Sequence, residues 1–226
     1  MKAILFDIDG TLLDATAVDT ECYVRAVCEC IGVPSIATEW DSYQDTTEMG
    51  IAAEIFARHK GRPASQRDLQ AIENRFVSLL QESFDRLPQS CRPTPGAHAL
   101  LLQLQTSEEY AVGIATGGWR ASAILKLEQA GLVELRLPLA SSSDARTRRE
   151  IMQLTAARLA HDHNVSAFAT TVYIGDGVWD LQASRALGWQ FIGIGKGRSA
   201  VRLRAAGAKH VFPDLLDHSA ILEAIA

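Results

Sequence analysis

Two carboxylates two residues apart, Asp7 and Asp9, stand where an apolar run ends, in Ile4-Leu5-Phe6-Asp7-Ile8-Asp9-Gly10-Thr11. Along an extended strand, residues i and i+2 point to the same face about 6–7 Å apart. Both carboxylates can therefore meet at the end of one buried strand, where two like charges are costly unless a cation or a reaction uses them. A second acidic pair, Asp176 and Asp180, closes the run Gly175-Asp176-Gly177-Val178-Trp179-Asp180. A hydroxyl followed by two glycines, Thr116-Gly117-Gly118, ends the apolar stretch Tyr110 to Ala115. A turn of that kind offers backbone N–H groups to an anion. Converging carboxylates without basic neighbours suit a hard divalent cation, Mg²⁺ best of all, and phosphate is the matching anion. Mg²⁺ and the Thr-Gly turn would neutralise phosphate oxygens and leave one carboxylate free to attack.

Plainer readings compete for each feature. Asp9-Gly10 is a strong hairpin signal, Thr116 can be a helix N-cap, and Asp176-Gly177 can be a turn with Asp180 as a cap. A calcium loop also begins D-x-D, but it needs Gly at its sixth position and Glu at its twelfth; Leu12 and Val18 stand there instead. Against the hairpin, Ala3 to Phe6 is continuously apolar, the pattern of a strand covered on both faces.

These groups act together only if strand ends gather on one edge, as the carboxyl ends of a parallel sheet do. The second part of the chain alternates accordingly. Strands are expected at Tyr110–Ala115, Leu137–Ala140, Thr171–Ile174, Phe191–Ile194 and His210–Phe212. Helices are expected after Thr94-Pro95, after Thr116, over Ile151–Ala160 and over Asp180–Leu187. Such alternation implies a doubly wound, Rossmann-like parallel sheet, here an α/β core made of residues 1–14 and 95–226. Between its two parts, residues 15–94 read as an all-helical insert. A first helix carries Val18, Cys22, Val27 and Ile31 and stops at Gly32-Val33-Pro34. A second runs from Gly50 to Lys60. A long amphipathic third carries Leu69, Ile72, Phe76, Leu80, Phe84 and Leu87 behind the capping box Ser65-x-x-Asp68.

The 226 residues are 47% hydrophobic and 22% charged with net charge -5. That balance fits a globular chain and argues against a general nucleic-acid or anionic-membrane surface. No apolar run reaches spanning length and no signal-peptide pattern precedes the first strand, so a cytoplasmic location is expected. Cys28 and Cys30 fall about 200° apart around a helix and cannot clamp one ion together; the four cysteines are expected to be reduced thiols.

The chain resembles the haloacid dehalogenase superfamily in its phosphatase branch. The family pattern D-x-D-G-T matches Asp7 to Thr11, its second motif matches Thr116, and its acidic G-D-x-x-x-D motif matches Gly175 to Asp180. The helical insert resembles the cap of the subgroup that includes β-phosphoglucomutase and phosphoglycolate phosphatase. The third motif departs, because the usual Lys is missing. Aligning Glu150 to Leu159 with the family's helix puts Arg146 in its place, with Arg148 and Arg149 as alternatives; an arginine keeps the charge and can fork onto phosphate oxygens.

The resemblance implies that Asp7 attacks phosphorus to form an aspartyl phosphate while Asp9 serves as acid and then base. It implies Mg²⁺ held by Asp7, the backbone carbonyl of Asp9 and Asp176, supported by Asp180. Thr116, Gly117 and Arg146 would hold the phosphoryl oxygens, with Gly10 beside them. Relatives with this cap place a specificity loop at Tyr43-Gln44-Asp45-Thr46, which makes Tyr43 and Asp45 substrate-binding candidates. Carbon–halogen cleaving members lack an acid at the Asp9 position, and phosphonate-cleaving ones need a cap lysine. Lys60, the only lysine of the insert, lies in the turn Lys60-Gly61-Arg62. The implied activity is Mg²⁺-dependent hydrolysis of a small phosphorylated metabolite by a monomer or homodimer. A phosphomutase on a sugar phosphate, which shares both aspartates, and a catalytically weak binding protein on the same fold are the rivals.

Overall fold

The computed structural model describes residues 1–225. Strand β1 (Lys2–Phe6) is followed by a short β2 (Leu13–Asp14) and three helices, α1 (Thr16–Ile31), α2 (Glu48–Lys60) and α3 (Gln66–Arg86). A short β3 (Arg92–Pro93) returns the chain to an alternating unit. That unit comprises α4 (Ala97–Gln105), β4 (Tyr110–Ala115), α5 (Arg120–Gln129), β5 (Leu139–Ala140), α6 (Arg148–Asp162), β6 (Thr171–Gly175), α7 (Val178–Ala186), β7 (Gln190–Ile194), α8 (Gly197–Ala205), β8 (His210–Phe212) and α9 (His218–Ile225). Six strands form one sheet in the order β5-β4-β1-β6-β7-β8, every neighbouring pair parallel. Strand β1 is central, flanked by β4 and β6, so the hairpin reading of Asp9-Gly10 falls. Gly10 does turn the chain, at φ +73°, but into the short loop before β2.

The continuous apolar run of β1 has its explanation in this position. Ile4 and Phe6 face a core shared with α1, α3, α4, α5 and α9. Ala3 and Leu5 face the other side, against Ile151, Met152 and Leu159 of α6 and Leu181 of α7. A two-residue period with both faces covered leaves no polar position. The sheet is thus doubly wound, with helices on both faces.

The segment between β2 and β3 is helical, and β2 pairs antiparallel with β3 through Leu13–Pro93 and Asp14–Arg92. Entry and exit strands therefore lie side by side. Helix α3 starts where Ser65 and Asp68 form the anticipated reciprocal cap. It turns Ile72, Phe76, Leu79, Leu80 and Phe84 inward, toward the α1 face of Cys22, Tyr23, Ala26, Val27 and Ile31. Each large side chain so buried contributes about 1.5–3 kcal/mol. Gly32 ends α1 and Gly61 ends α2, both in the left-handed conformation.

Two helix starts differ from the sequence reading. Helix α4 begins after Gly96, not at Thr94-Pro95; a β-carbon on Gly96, at φ +86°, would meet the Leu215 carbonyl oxygen. Helix α5 begins at Arg120, after an extended Trp119, so Thr116 to Gly118 form a separate turn. No helix among the described residues is long and apolar enough to cross a membrane.

Candidate active site

Asp7, Thr116 and Asp176 stand just past the carboxyl ends of β1, β4 and β6, three adjacent strands of the sheet. Single carboxylate oxygens of Asp7, Asp176 and Asp180 lie within 4.8 Å of one another. The loop after β1 can come this close to Asp176 because residue 10 is glycine: a β-carbon there would sit 2.2 Å from Asp176 Oδ2. Asp180 is fully buried and accepts a 3.1 Å hydrogen bond from the Gly177 amide, closing the first turn of α7. Its other oxygen, Oδ1, is buried without a hydrogen-bond partner.

The carboxylates do have a basic neighbour, contrary to the sequence reading. Arg148 donates from Nη1 to Asp7 Oδ1 at 2.9 Å, and its Nε lies 3.3 Å from Asp180 Oδ1 in an orientation that makes no hydrogen bond. Burial pushes the Asp7 carboxyl up against the pull of Arg148, with Asp9 adding to the rise. Burial and the charges of Asp7 and Asp180 push Asp176 well up, and burial pushes Asp180 up to about 7. Three carboxylates and one guanidinium are short of positive charge, and oxygen donors at this separation fit a divalent cation such as Mg²⁺. Its charge would reverse these shifts.

Arg146, the expected third-motif residue, points elsewhere. Its side chain is 67% exposed and pairs with Asp45 at 3.0 Å. The reason is the start of α6. Thr147 and Glu150 form a reciprocal capping box, which makes Arg148 the first helical residue and leaves Arg146 outside the helix. The Thr147-x-x-Glu150 pattern was visible in the sequence and could have selected Arg148. Gly117 makes room for it, since a β-carbon there would lie 2.6 Å from Arg148 Nη2. Arg149 is exposed.

Thr116 is buried, and its Oγ1 accepts from the Gly118 amide at 3.1 Å, which holds the turn. Asp7, Asp9, Thr116, Gly117, Arg148 and Asp176 all line one cavity of about 160 Å³. Its far wall comes from the helical segment: Asp19, Thr20 and Tyr23 of α1, Trp40, Thr46, and Glu48 and Ile51 of α2. Tyr43 and Asp45 do not line it. Tyr43 is buried, stacks on Trp40 and donates to the Ala37 carbonyl, and Asp45 is engaged by Arg146. Their neighbours in the chain, Trp40, Thr46 and Glu48, line it instead.

Asp9 turns away from the Asp7–Asp176–Asp180 cluster. Its Oδ2 accepts from Lys126 Nζ at 2.5 Å, while its Oδ1 is buried with no hydrogen-bond partner. Lys126 is fully buried and also donates to Asp19 at 2.7 Å, with Glu48 at 3.8 Å. Glu48 further accepts from the Trp119 amide at 2.7 Å and from Ser122 Oγ at 3.1 Å, and its own amide donates to the Gly117 carbonyl at 2.8 Å. Burial pushes Glu48 up to about 8 and Asp19 up to about 6, each against the pull of Lys126. None of these three residues was anticipated. One signal existed: Ala123, Lys126, Leu127 and Ala130 follow one another at helical spacing, which sets a lysine in an apolar stripe.

A doubly wound parallel sheet with acidic and hydroxylic residues at three adjacent strand ends, covered by an inserted helical segment, places a site at the carboxyl edge of the sheet. The comparisons make that specific. Residues 1–188 match the family model for haloacid dehalogenase-like hydrolases, and the chain belongs to that family. A hydrolase from Pseudomonas syringae is 22% identical, with all of both chains covered and a TM-score of 0.75. A β-phosphoglucomutase from Clostridium difficile is 20% identical over 98% of this chain and 96% of its own, with a TM-score of 0.72. A predicted phosphoglycolate phosphatase from Haemophilus somnus is 15% identical over 98% of each chain, with a TM-score of 0.69. At these identities the likeness is one of fold. No curated protein matches the chain.

Proposed function

We propose that this hydrolase cleaves a small phosphate monoester, with Mg²⁺, through an aspartyl phosphate on Asp7. The observation that supports it most is the meeting of Asp7, Asp176 and Asp180 oxygens within 4.8 Å on the wall of a cavity that Asp9, Thr116 and Gly117 also line. Asp7 and Asp176, with Asp180 behind them and the Asp9 carbonyl beside them, would hold Mg²⁺, which when bound supplies charge neutralisation to the phosphoryl oxygens and to Asp7.

The remaining work falls to the chain itself. A carboxylate oxygen of Asp7 forms a bond to phosphorus as the bond from phosphorus to the ester oxygen breaks. The leaving oxygen takes a proton from Asp9, a contribution of about 10²–10⁴-fold. The same group, now a carboxylate, takes a proton from water as water attacks the acyl phosphate. Inorganic phosphate leaves and Asp7 is restored. Arg148 assumes the role first given to Arg146: its guanidinium, with Thr116 and the Gly117 amide, faces the phosphoryl oxygens. Residues 15–94 act as a cap that excludes water and contacts the leaving group.

The test is release of phosphate from p-nitrophenyl phosphate. Release should require Mg²⁺, stop with a chelator, and fall by about 10³-fold or more in Asp7→Asn, which loses the nucleophile. Metal-independent release, or an Asp7→Asn variant that retains turnover, would reject the mechanism.

A further inference from the structure

The cap side of the cavity has a charge pattern that selects among phosphate esters. Its wall is built from Asp19, Thr20, Tyr23, Trp40, Glu48 and Ile51. Among the described residues that line the cavity, the one cation is Arg148, and it lies at the opposite end on Asp7. Lys126 approaches from below but has no exposed surface, and its ammonium already meets Asp9, Asp19 and Glu48. Three carboxyl groups surround that single ammonium, so this side carries a net positive charge only if all three are protonated.

Resting on the phosphatase reading, we infer that the natural ester is one whose alcohol carries no second anionic group: a hydroxylated or aminated small alcohol, not a carboxylated or twice-phosphorylated one. A carboxylate or second phosphate in the leaving group would come to rest beside Asp19 and Glu48, whose one cation, Lys126, is already engaged by three carboxyl groups, so it would find no free counter-charge in a partly desolvated cavity. An ammonium there would instead gain the carboxylates and the faces of Tyr23 and Trp40, which meet edge to face at 5.7 Å. A neutral polyol would find the hydroxyl of Thr20 and the carboxylate oxygens as partners. The cavity of about 160 Å³ is below the range typical of drug-sized ligands, which also favours a leaving group of a few heavy atoms. The same wall opposes the mutase chemistry. Moving a phosphoryl group between two positions of a sugar through Asp7 passes through a twice-phosphorylated sugar, whose second phosphate would have to sit on the cap side.

A matched panel tests this on the wild-type enzyme with Mg²⁺: O-phosphoethanolamine and glycerol 2-phosphate against phosphoglycolate and glucose 1,6-bisphosphate, with p-nitrophenyl phosphate as the reference. One unfavourable charge contact at about 6 Å with an effective dielectric of about 20 corresponds to roughly 100-fold. The expected result is therefore a kcat/KM at least about 100-fold higher for the first pair than for the second. In Asp19→Asn the gap should narrow by up to about 100-fold, carried mainly by KM, since that one repelling contact is gone. If phosphoglycolate or the bisphosphate is turned over as well as the uncharged and cationic esters while p-nitrophenyl phosphate is hydrolysed, the inference fails and the phosphatase reading stands. If no ester releases phosphate, both fail together.

Discussion

Two clusters of the same make-up sit a few residues apart in this molecule and behave as opposites. In one, Asp7, Asp176 and Asp180 gather around Arg148; in the other, Asp9, Asp19 and Glu48 gather around Lys126. Each has three carboxyl groups and one buried cation. The Arg148 cluster is left incomplete, with Arg148 Nε and Asp180 Oδ1 both buried and unbonded. The Lys126 cluster is closed around its cation, with two short bonds to the ammonium, and it leaves one oxygen, Asp9 Oδ1, without a partner. The same inventory therefore makes a cluster with unpartnered polar atoms in one place and a cluster closed around its cation in the other. The difference lies in geometry: a flat guanidinium spreads its charge over two carboxylates, while a point-like ammonium draws carboxylates onto itself.

Removing the point charge should break the comparison hardest. Lys126→Met takes the donor from Asp9 and Asp19, which are 28% and 19% exposed, so the cost should fall between about 1 kcal/mol for a surface pair and about 3–5 kcal/mol for a fully buried one. Urea unfolding should show that loss with the slope unchanged. A cost below about 1 kcal/mol, the worth of a surface ion pair, would mean that the cluster holds nothing together.

The Arg148 cluster is sharpened by setting Arg148 against Arg146. Arg148→Met should lower kcat by about 10²–10³-fold, the loss seen when one preorganised donor to a developing charge is removed. Arg146→Met, on an exposed side chain, should stay within about twofold of wild type. Equal losses in both variants would return the third-motif role to open question.

What could be read from the chain alone divides along the same line. The Arg148 cluster is built from residues at strand ends, where an apolar run stops at an acid, and such ends meet in any parallel sheet. Asp7 and Asp176 were legible for that reason, and so were the sheet and the helical insert. Arg148 itself was within reach, because the Thr147-x-x-Glu150 cap sets the phase of α6. The Lys126 cluster is different. Lys126 lies 117 residues from Asp9 and 107 from Asp19, and Asp19 and Glu48 sit on helices whose periodicity says which face is buried but not what the partner face holds. That Tyr43 and Asp45 stand off the cavity wall was hidden for the same cause: a loop's place over a cavity depends on how the helical segment docks, which no local spacing encodes.

The smallest expected effect concerns the proton inventory of the Lys126 cluster. Glu48 has an ordinary value of 4.5 that burial raises to about 8. Between those two values the native state keeps a proton that the unfolded chain has released. The native state then binds more protons, and stability falls as pH rises through the window. Asp19 acts in the same sense but only between 3.8 and about 6, so the interval from pH 6 to 8 isolates Glu48 within its cluster. Excess Mg²⁺ should hold Asp7, Asp176 and Asp180 ionised and silence the other cluster over that interval. Glu48→Gln keeps an acceptor for the Trp119 amide and Ser122 while removing the titration. With Mg²⁺ present, wild type should therefore lose stability to urea from pH 6 to 8, and Glu48→Gln should be flatter over the same range. Identical pH slopes in the two proteins would show that Glu48 is already ionised beside Lys126. The cap side would then carry more negative charge near neutrality than its burial suggests, and the closed cluster would resemble the open one more closely than its geometry implies.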